Sequence, residues 1–250
     1  MLFVKGGSFF MTHDGRSAFQ YASDWDFEMF DIESECLTSW DLYSLLKEFT
    51  TADSRILDLG TGGGEKLLAF FPECSEITGT DLSAAMIGTA RENLRKSGRQ
   101  NITFKVMDTL RMDVPENYYD VVVARHTMTD PVQIRRCLKP GGHLLIRGVD
   151  KYDCWALKLL FKGGQGFDDP VPQSISDYER VLEAGFTDVE LVPLHEREFF
   201  RSAEEFKAFL RKVPILDVTD DGLIDRYIRS NTFGGRIRLI RRYYGITATV

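Results

Sequence analysis

The sequence predicts an α/β fold, in which a parallel sheet has helices packed on both faces. Short apolar runs typical of buried strands alternate with segments of helical period between residues 55 and 149. With 250 residues, 43% of them hydrophobic, the chain can bury a large core without disulfides or metals. The composition excludes disordered, collagen-like and disulfide-scaffold proteins. No apolar run approaches the roughly 20 residues that span a bilayer.

The first half of the chain alternates regularly between predicted helices and strands. A helix is expected at 40–49, where Trp40, Leu46 and Phe49 share one stripe at helical spacing. Ser83 and Gly98 are residue types that begin and end helices, and they flank a predicted helix at 84–98. The other predicted helices are 65–71 and 130–138, and the predicted strands are 55–59, 76–82, 102–108, 119–126 and 143–149.

After residue 150 the alternation becomes irregular. Helices are predicted at 153–161, 176–186, 203–213 and 223–228, and strands at 188–196 and 243–250. The glycine-rich stretch 163–172 is predicted to be a loop. Because no linker-like composition separates these segments from the first half, we expect the additional helices to pack on the sheet domain.

The net charge of −7 is distributed unevenly along the chain. Residues 1–53 carry three basic and ten acidic side chains, whereas residues 226–250 contain six arginines and no carboxylate. The acidic segment disfavours nucleic acid as the main partner, because it repels a phosphate backbone. We interpret the arginine-rich segment as a solvated strand face and helix C-terminal charges.

The four cysteines, at positions 36, 74, 137 and 154, stand singly at wide spacings. This spacing indicates neither a disulfide framework nor a metal site, and we expect reduced thiols in a cytoplasmic protein. The first ten residues, MLFVKGGSFF, lack the apolar core and the cleavage site of a signal peptide. No membrane partner is expected, and the oligomeric state stays open.

The first pattern that indicates chemistry is the glycine cluster in ILDLGTGGGEKLL, between a predicted buried strand and a helix. Glycines let a ligand approach the backbone, and the following helix start offers free N–H groups. Glu65 stands where a dinucleotide fingerprint has its third glycine. Leu67 follows Lys66 where a phosphate-binding loop has Ser or Thr. An adenosine ligand without phosphates fits this loop better.

Two acidic residues end the next two predicted strands. Asp81, 21 residues after Gly60, can accept hydrogen bonds from both hydroxyls of a ribose. Asp108 can accept one from the amino group of an adenine. Each acid is also typical of a turn, so the assignment depends on the glycine cluster beside it.

Together these motifs resemble the class I S-adenosylmethionine-dependent methyltransferases, in their small-molecule branch. The resemblance covers residues 55–150 well and 176–196 loosely, through ILDLGTGGG, TGTDLS, VMD, YDVVVARH and CLKPGGHLLI. It implies a Rossmann-like, doubly wound sheet of seven mostly parallel strands, the last antiparallel, with helical cap elements. A single domain over 1–250 is expected, divided into an N-terminal helical cap (1–53), a cofactor-binding half (54–150) and a substrate-side half with cap insertions (151–250).

The resemblance also implies that the chain binds S-adenosyl-L-methionine, and it indicates the residues that do so. These are Asp58, Gly60 and Gly62 for the methionine end, Asp81 for the ribose, Leu82, Met107 and Asp108 for the adenine, and the neighbouring Thr61, Met86 and Thr109. The donor is already activated, so the protein mainly has to align donor and acceptor and exclude water.

The acceptor should meet the cofactor at the end of the fourth predicted strand. His126 is predicted to act there as a base or an orienting group, and Arg125 to bind a substrate carboxylate or face solvent. The Asn/Asp-Pro-Pro-aromatic motif of nucleobase amino methyltransferases is absent here, which favours a small-molecule acceptor. An aromatic substrate cap is predicted from Tyr21, Trp25, Tyr152, Trp155 and Phe167.

Two other classes of function stay open. One is an RNA-directed methyltransferase that uses the arginine-rich segment, and the other is a binding module that holds the cofactor without turnover. An NAD-dependent oxidoreductase is disfavoured by Glu65. The sequence identifies neither the acceptor nor the atom that is methylated.

Overall fold

The computed structural model describes residues 30–250, which form one mixed sheet with helices on both faces. The strands are β1 (Glu33–Cys36), β2 (Arg55–Leu59), β3 (Glu76–Asp81), β4 (Ile102–Val106), β5 (Tyr119–Arg125), β6 (Leu138–Val149), β7 (Thr187–Phe200), β8 (Thr232–Phe233) and β9 (Arg236–Thr249). The helices are α1 (Leu42–Glu48), α2 (Glu65–Phe70), α3 (Ala84–Ser97), α4 (Pro131–Cys137), α5 (Trp155–Phe161), α6 (Gln173–Glu183), α7 (Ala203–Lys212) and α8 (Asp221–Asn231). Within this range no helix is long and apolar enough to cross a membrane.

The strand order is β1-β7-β9-β6-β5-β2-β3-β4, with β8 paired to the start of β9. The strands β4, β3, β2, β5 and β6 are mutually parallel, and β9 runs antiparallel between β6 and β7. The predicted Rossmann-like α/β class with a reversed last strand is confirmed. The predicted count of seven strands is too low, because β1 and β8 are added to that core.

The sequence did not indicate β1 because its four residues, ESEC, are all exposed and carry no apolar pattern. β1 lies in the segment predicted to be a helical cap, so the described part of that segment is α1 plus an edge strand. Residues 1–29 of the predicted cap lie outside the described residues.

The ends of α3 follow directly from its sequence. The Ser83 side chain accepts a hydrogen bond from the N–H of Met86, and Gly98 ends the helix in the left-handed conformation. The predicted start and stop of this helix are therefore confirmed, and its start lies directly after the end of β3.

Strands β7 and β9 are longer than the sequence predicts. β9 begins at Arg236 instead of residue 243, and β7 continues to Phe200. The pair continues past Val149, where β6 ends opposite Tyr243. This β7/β9 extension (residues 195–200 and 236–242) therefore reaches beyond the C-terminal ends of the parallel strands, where open α/β sheets bind their ligands.

Three apolar cores surround the sheet. One lies between the sheet and helices α4 and α6, and a second lies on the opposite face beneath α1, α2 and α3. The third packs the β7/β9 extension against α5, α7 and α8, through residues such as Phe200, Phe206 and Leu239. This third core holds a cap beside the C-terminal edge of the sheet.

Candidate active site

The glycine loop joins β2 to α2 in a sharp turn that contains residues in the left-handed backbone conformation. Gly60 has φ +73°, and a Cβ atom there would lie 2.8 Å from Thr127 Cβ and 3.1 Å from the Arg125 carbonyl oxygen. Gly64 has φ +80° at the start of α2. Only glycine fits these positions without strain, and the loop consequently passes close to the residues that follow β5.

Asp81 ends β3 directly beside this loop. Its carboxylate accepts hydrogen bonds from the N–H of Gly62 at 3.0 Å and of Ser83 at 2.9 Å. Burial raises the pKa of the Asp81 carboxyl, while the two N–H groups act in the opposite direction. The carboxylate is thereby fixed at the loop, and its remaining lone pairs can accept bonds from a ligand.

The surroundings of the loop fit the adenosine part of S-adenosylmethionine. The Thr61 hydroxyl is buried and makes no hydrogen bond within residues 30–250, so it lacks a partner that a polar ligand would supply. Leu82 and Leu110 expose 52% and 37% of their surface next to the ends of β3 and β4. Asp108 accepts a hydrogen bond from Leu110 N at 2.9 Å and retains acceptor capacity.

The other predicted cofactor contacts lie deeper. Met86 and Met107 are buried, exposing 1% and 8%, and Thr109 exposes 9%. Met107 packs into the core on the side of α4 and α6. These three residues are therefore far less exposed than Leu82.

Arg125 and Asp58 form a buried ion pair below the loop. Arg125 Nε and Nη2 donate to the two Asp58 carboxylate oxygens at 3.3 and 2.8 Å, and Arg125 Nη1 donates to the Tyr43 hydroxyl at 3.5 Å. Asp58 is completely buried. The guanidinium predicted to clamp a substrate carboxylate or face solvent therefore binds Asp58 instead, because an unpaired buried carboxylate would be costly.

His126 lies at the mouth of the site in a left-handed conformation, φ +51°. Its N–H donates to the Arg147 carbonyl at 2.9 Å, and its Nε2 lies 2.7 Å from Arg147 Nη1. A guanidinium can only donate, so Nε2 accepts this bond and the ring proton is on Nδ1. Although the residue as a whole is exposed, the surrounding protein desolvates the imidazole, which lowers its pKa well below the usual range. The charges of Arg147, Arg125 and Arg241 act in the same direction.

A second group of charged residues, not predicted from the sequence, continues from His126 into the cap. Arg147 also donates to Glu196 at 2.6 Å. Arg241, in β9, donates to Asp153 at 3.0 and 3.1 Å and to both Glu198 oxygens at 3.0 Å. Its side chain is 10% exposed. Each buried charge thus has an opposite charge within hydrogen-bond distance.

The pairing of β5 with β6 explains why Arg125 and Arg147 each need a carboxylate partner. Arg125 pairs directly with Arg147 across β5 and β6. Like charges opposite each other repel, so each guanidinium requires its own partner. Asp58 in β2 forms an ion pair with Arg125, and Glu196 in β7 forms one with Arg147. One face of the sheet therefore carries a continuous row of ion pairs across its C-terminal edge.

Three of the five predicted cap rings form one cluster. Trp155 contacts Tyr152 at a centroid distance of 5.1 Å and Phe167 at 5.3 Å. Tyr152 is 46% exposed. Tyr21 and Trp25 lie outside the described residues.

Several known proteins are similar to this chain. Residues 56–142 match the family model of a methyltransferase domain. An uncharacterised methyltransferase of Bacillus subtilis is 30% identical over 108 residues, covering 40% of this chain and 42% of that protein. A ubiquinone/menaquinone biosynthesis C-methyltransferase of Paraburkholderia phymatum is 29% identical over 148 residues, covering 50% and 60%. The chain thus spans about half the length of the curated relatives it matches.

The fold is also found in solved structures. A crystal structure of a Bacillus halodurans protein, named as a candidate methyltransferase, aligns with a TM-score of 0.60. The alignment covers 84% of this chain and 98% of that one at 20% sequence identity. This likeness concerns the fold alone.

Proposed function

Residues 56–142 form a class I S-adenosylmethionine-dependent methyltransferase domain, and from this premise we propose that the chain transfers a methyl group to a small-molecule acceptor. The observation that carries the proposal is the junction of the glycine loop with Asp81, whose carboxylate binds Gly62 N–H at 3.0 Å. This junction presents the carboxylate of Asp81 and the buried, unpaired hydroxyl of Thr61 to one ligand. Asp81, Leu82 and Asp108 are assigned to the adenosine.

The reaction makes modest demands on this chain. S-adenosylmethionine, when bound, supplies a methyl group on a positively charged sulfur. The acceptor's nucleophilic atom attacks the methyl carbon in line, and the sulfur leaves with the bonding electrons. The protein then has to hold the acceptor in line and exclude water. The glycine loop and Asp81 orient the donor side, and the row of ion pairs at the ends of β5 and β6 borders the acceptor side.

His126 fits an orienting role better than that of a base. Its Nε2 already accepts a hydrogen bond from Arg147, so protonation would place two cations against each other. Because its pKa is lowered, the imidazole stays neutral through neutral and mildly acidic pH. A base with the usual imidazole pKa would give a pH–rate limb near 6.5. We expect that limb to be absent above about pH 6, which stopped-flow or radiometric rates between pH 5 and 8 would test.

The charge pattern supports a small molecule over RNA. Among the six arginines of residues 226–250, Arg236 pairs with Glu33, Arg241 is buried between Asp153 and Glu198, and Arg238 stacks on Phe233. Three of these six arginines therefore already have partners within the protein, and of these Arg241 is buried, which leaves less free positive charge for a phosphate backbone. The quinone C-methyltransferase named above, which acts on a small molecule, is consistent with this choice. The free cysteines favour a cytoplasmic location.

Calorimetry with S-adenosylhomocysteine, the demethylated product, tests the proposal directly. We expect a Kd in the low micromolar range, about −8 kcal/mol, and no binding of NADH. Incubation with a tritiated methyl donor and extracted metabolite pools should then label small molecules and not added RNA. Binding of NADH instead would contradict the family, whereas product binding without any transfer would identify a cofactor-holding module.

A further inference from the structure

Tyr243 lies next to the row of ion pairs and is not explained by cofactor binding. In β9 it pairs with Val149 of β6 and Leu194 of β7. Arg147 pairs with Gly245, two residues further along β9, and successive side chains alternate between faces. Tyr243, Arg147 and Arg241 therefore lie on the same face of the sheet, at its C-terminal edge.

The Tyr243 ring is held on three sides. The Arg147 guanidinium lies 4.1 Å and that of Arg241 4.9 Å from the ring centroid. The His126 ring meets it edge-on, with centroids 5.5 Å apart and planes at 74°. Both guanidiniums are themselves fixed by carboxylates, so the ring has one defined orientation.

The Tyr243 hydroxyl has no hydrogen-bond partner within residues 30–250. The residue is only 7% exposed, and that exposure includes the hydroxyl, which is not among the sealed polar atoms. Buried tyrosines normally find a partner. The next residue does so, since Tyr244 on the opposite face donates to Asp177 at 2.5 Å, and Tyr227 donates to the Arg238 carbonyl at 3.0 Å.

The Tyr243 hydroxyl and His126 Nδ1–H have no hydrogen-bond partner within the described residues, and both can donate. Burial raises the pKa of Tyr243 well above its usual value, although Arg241 opposes this, so the phenol keeps its proton. His126 carries its proton on Nδ1, because Nε2 accepts from Arg147. The nearby carboxylates of Glu196, Glu198 and Asp153 each form an ion pair with an arginine. An oxygen that carries only lone pairs can accept hydrogen bonds from both the Tyr243 hydroxyl and His126 Nδ1–H, whereas an amine would direct its own N–H groups at these two donors.

We propose that the Tyr243 hydroxyl and His126 Nδ1–H together bind an unprotonated oxygen of the methyl acceptor, of the phenolate class. This rests on the proposed function, since it assigns an acceptor subsite to the same site. Asp153, which binds Arg241, lies two residues before Trp155, so the aromatic cluster begins close to these donors and can supply contacts to a planar ring that bears the oxygen.

The probe is 4-nitrophenolate, whose absorption band shifts when its oxygen accepts hydrogen bonds. Wild-type protein saturated with S-adenosylhomocysteine is titrated at a pH where the phenol is ionised. 4-Nitroaniline, of similar shape but with an amine, serves as ligand control. We expect Tyr243→Phe to weaken nitrophenolate binding about 10- to 100-fold and to reduce the band shift. Binding of nitroaniline and of S-adenosylhomocysteine should change less than about twofold.

Tyr244→Phe is the matched control, since it removes one hydroxyl from the neighbouring residue on the opposite face. It should leave nitrophenolate affinity unchanged, and thermal unfolding verifies that both variants are folded. The proposal is overturned if Tyr243→Phe binds nitrophenolate like the wild type, if nitroaniline binds as tightly as nitrophenolate, or if the loaded wild-type protein binds no nitrophenolate. Failure of the wild type to bind S-adenosylhomocysteine would instead overturn the proposed function.

Discussion

The donor side and the acceptor side of this site are built by different means. On the donor side, the backbone of the loop after β2 and the carboxylate of Asp81 meet within a short stretch of sequence. On the acceptor side, side chains from β5, β6, β7 and β9 meet through ion pairs between residues up to 88 positions apart. The first is set by local backbone geometry, and the second depends on the register of the whole sheet.

This difference has an energetic counterpart. Apart from the Asp58–Arg125 pair, the donor side rests on apolar cores on both faces of β2, whereas the acceptor side depends on the buried ion pairs of Arg241 with Asp153 and Glu198. Replacing one partner of a buried pair is far more costly than removing an exposed carboxylate. Mutations on the acceptor side should therefore affect folding first, and mutations on the donor side should affect binding first.

The largest change in free energy is expected for Arg241→Met, on the stability of the fold. It leaves the Asp153 and Glu198 carboxylates buried without their cation, so the free energy of unfolding should fall by about 3–5 kcal/mol. Urea denaturation measures this change. Arg242→Met is the matched control, because Arg242 is half-buried and forms no side-chain ion pair within the described residues. Equal losses in both variants would mean that the loss is one of packing rather than of charge compensation.

Asp81→Ala tests the donor side, where we expect a loss of cofactor affinity rather than of stability. Loss of charge-assisted hydrogen bonds to the ribose should raise the Kd for S-adenosylhomocysteine about 10- to 100-fold, or about 1.5–3 kcal/mol. The urea midpoint should move much less than in Arg241→Met. Calorimetry measures the affinity, with Asp113→Ala as a control at an exposed carboxylate. An unchanged Kd would remove Asp81 from the cofactor site.

The pH dependence of cofactor binding should follow the raised pKa of Asp81. Only the ionised carboxylate accepts bonds from both hydroxyls, so affinity is full above this pKa and falls by up to about tenfold per pH unit below it. The decline should begin at a higher pH than for an ordinary aspartate. Titrations from pH 8 to 4.5 should show it in the wild type and not in Asp81→Ala, and the same slope in both would assign it to another group.

The smallest change in ligand affinity is expected for a substitution in the aromatic cluster. Trp155→Ala should weaken nitrophenolate binding about three- to tenfold, through lost contact with a planar ligand, and leave the Kd for S-adenosylhomocysteine unchanged. The exposed ring of Phe233, removed by Phe233→Ala, serves as control. Equal weakening of both ligands would assign Trp155 to structural packing.

The same comparison explains what the sequence could predict. β2 and β5 are short, largely apolar runs, β4 alternates between buried and exposed residues, and the glycines and Asp81 stand at fixed offsets from these strands, so local patterns suffice. β9 was predicted only from residue 243, because Arg241 occupies an inward position that apolar periodicity assigns to a hydrophobic residue. Its partners, Asp153 and Glu198, are distant in sequence. Pairing between remote charges leaves no periodic signal.

Arg125 illustrates the same limit within a correctly predicted strand. Its position at the end of β5 was predicted, but its partner was not, because the contact with Asp58 depends on β2 and β5 being neighbours in parallel register. The exposed apolar surface of Leu82 was predictable in place but not in extent, for it depends on how α3 leaves the sheet edge.

The short, polar strand β1 covers part of the outer edge of β7. It covers residues 196–199 of β7, and Leu37 N–H continues the cover by donating to the His195 carbonyl at 2.8 Å. Pro193, further along the same edge, has no N–H to offer a neighbouring strand. An uncovered edge is a template on which other chains add as strands. A chain shortened past residue 38 would therefore expose a long strand to its own copies, and concentration-dependent aggregation would be its first symptom.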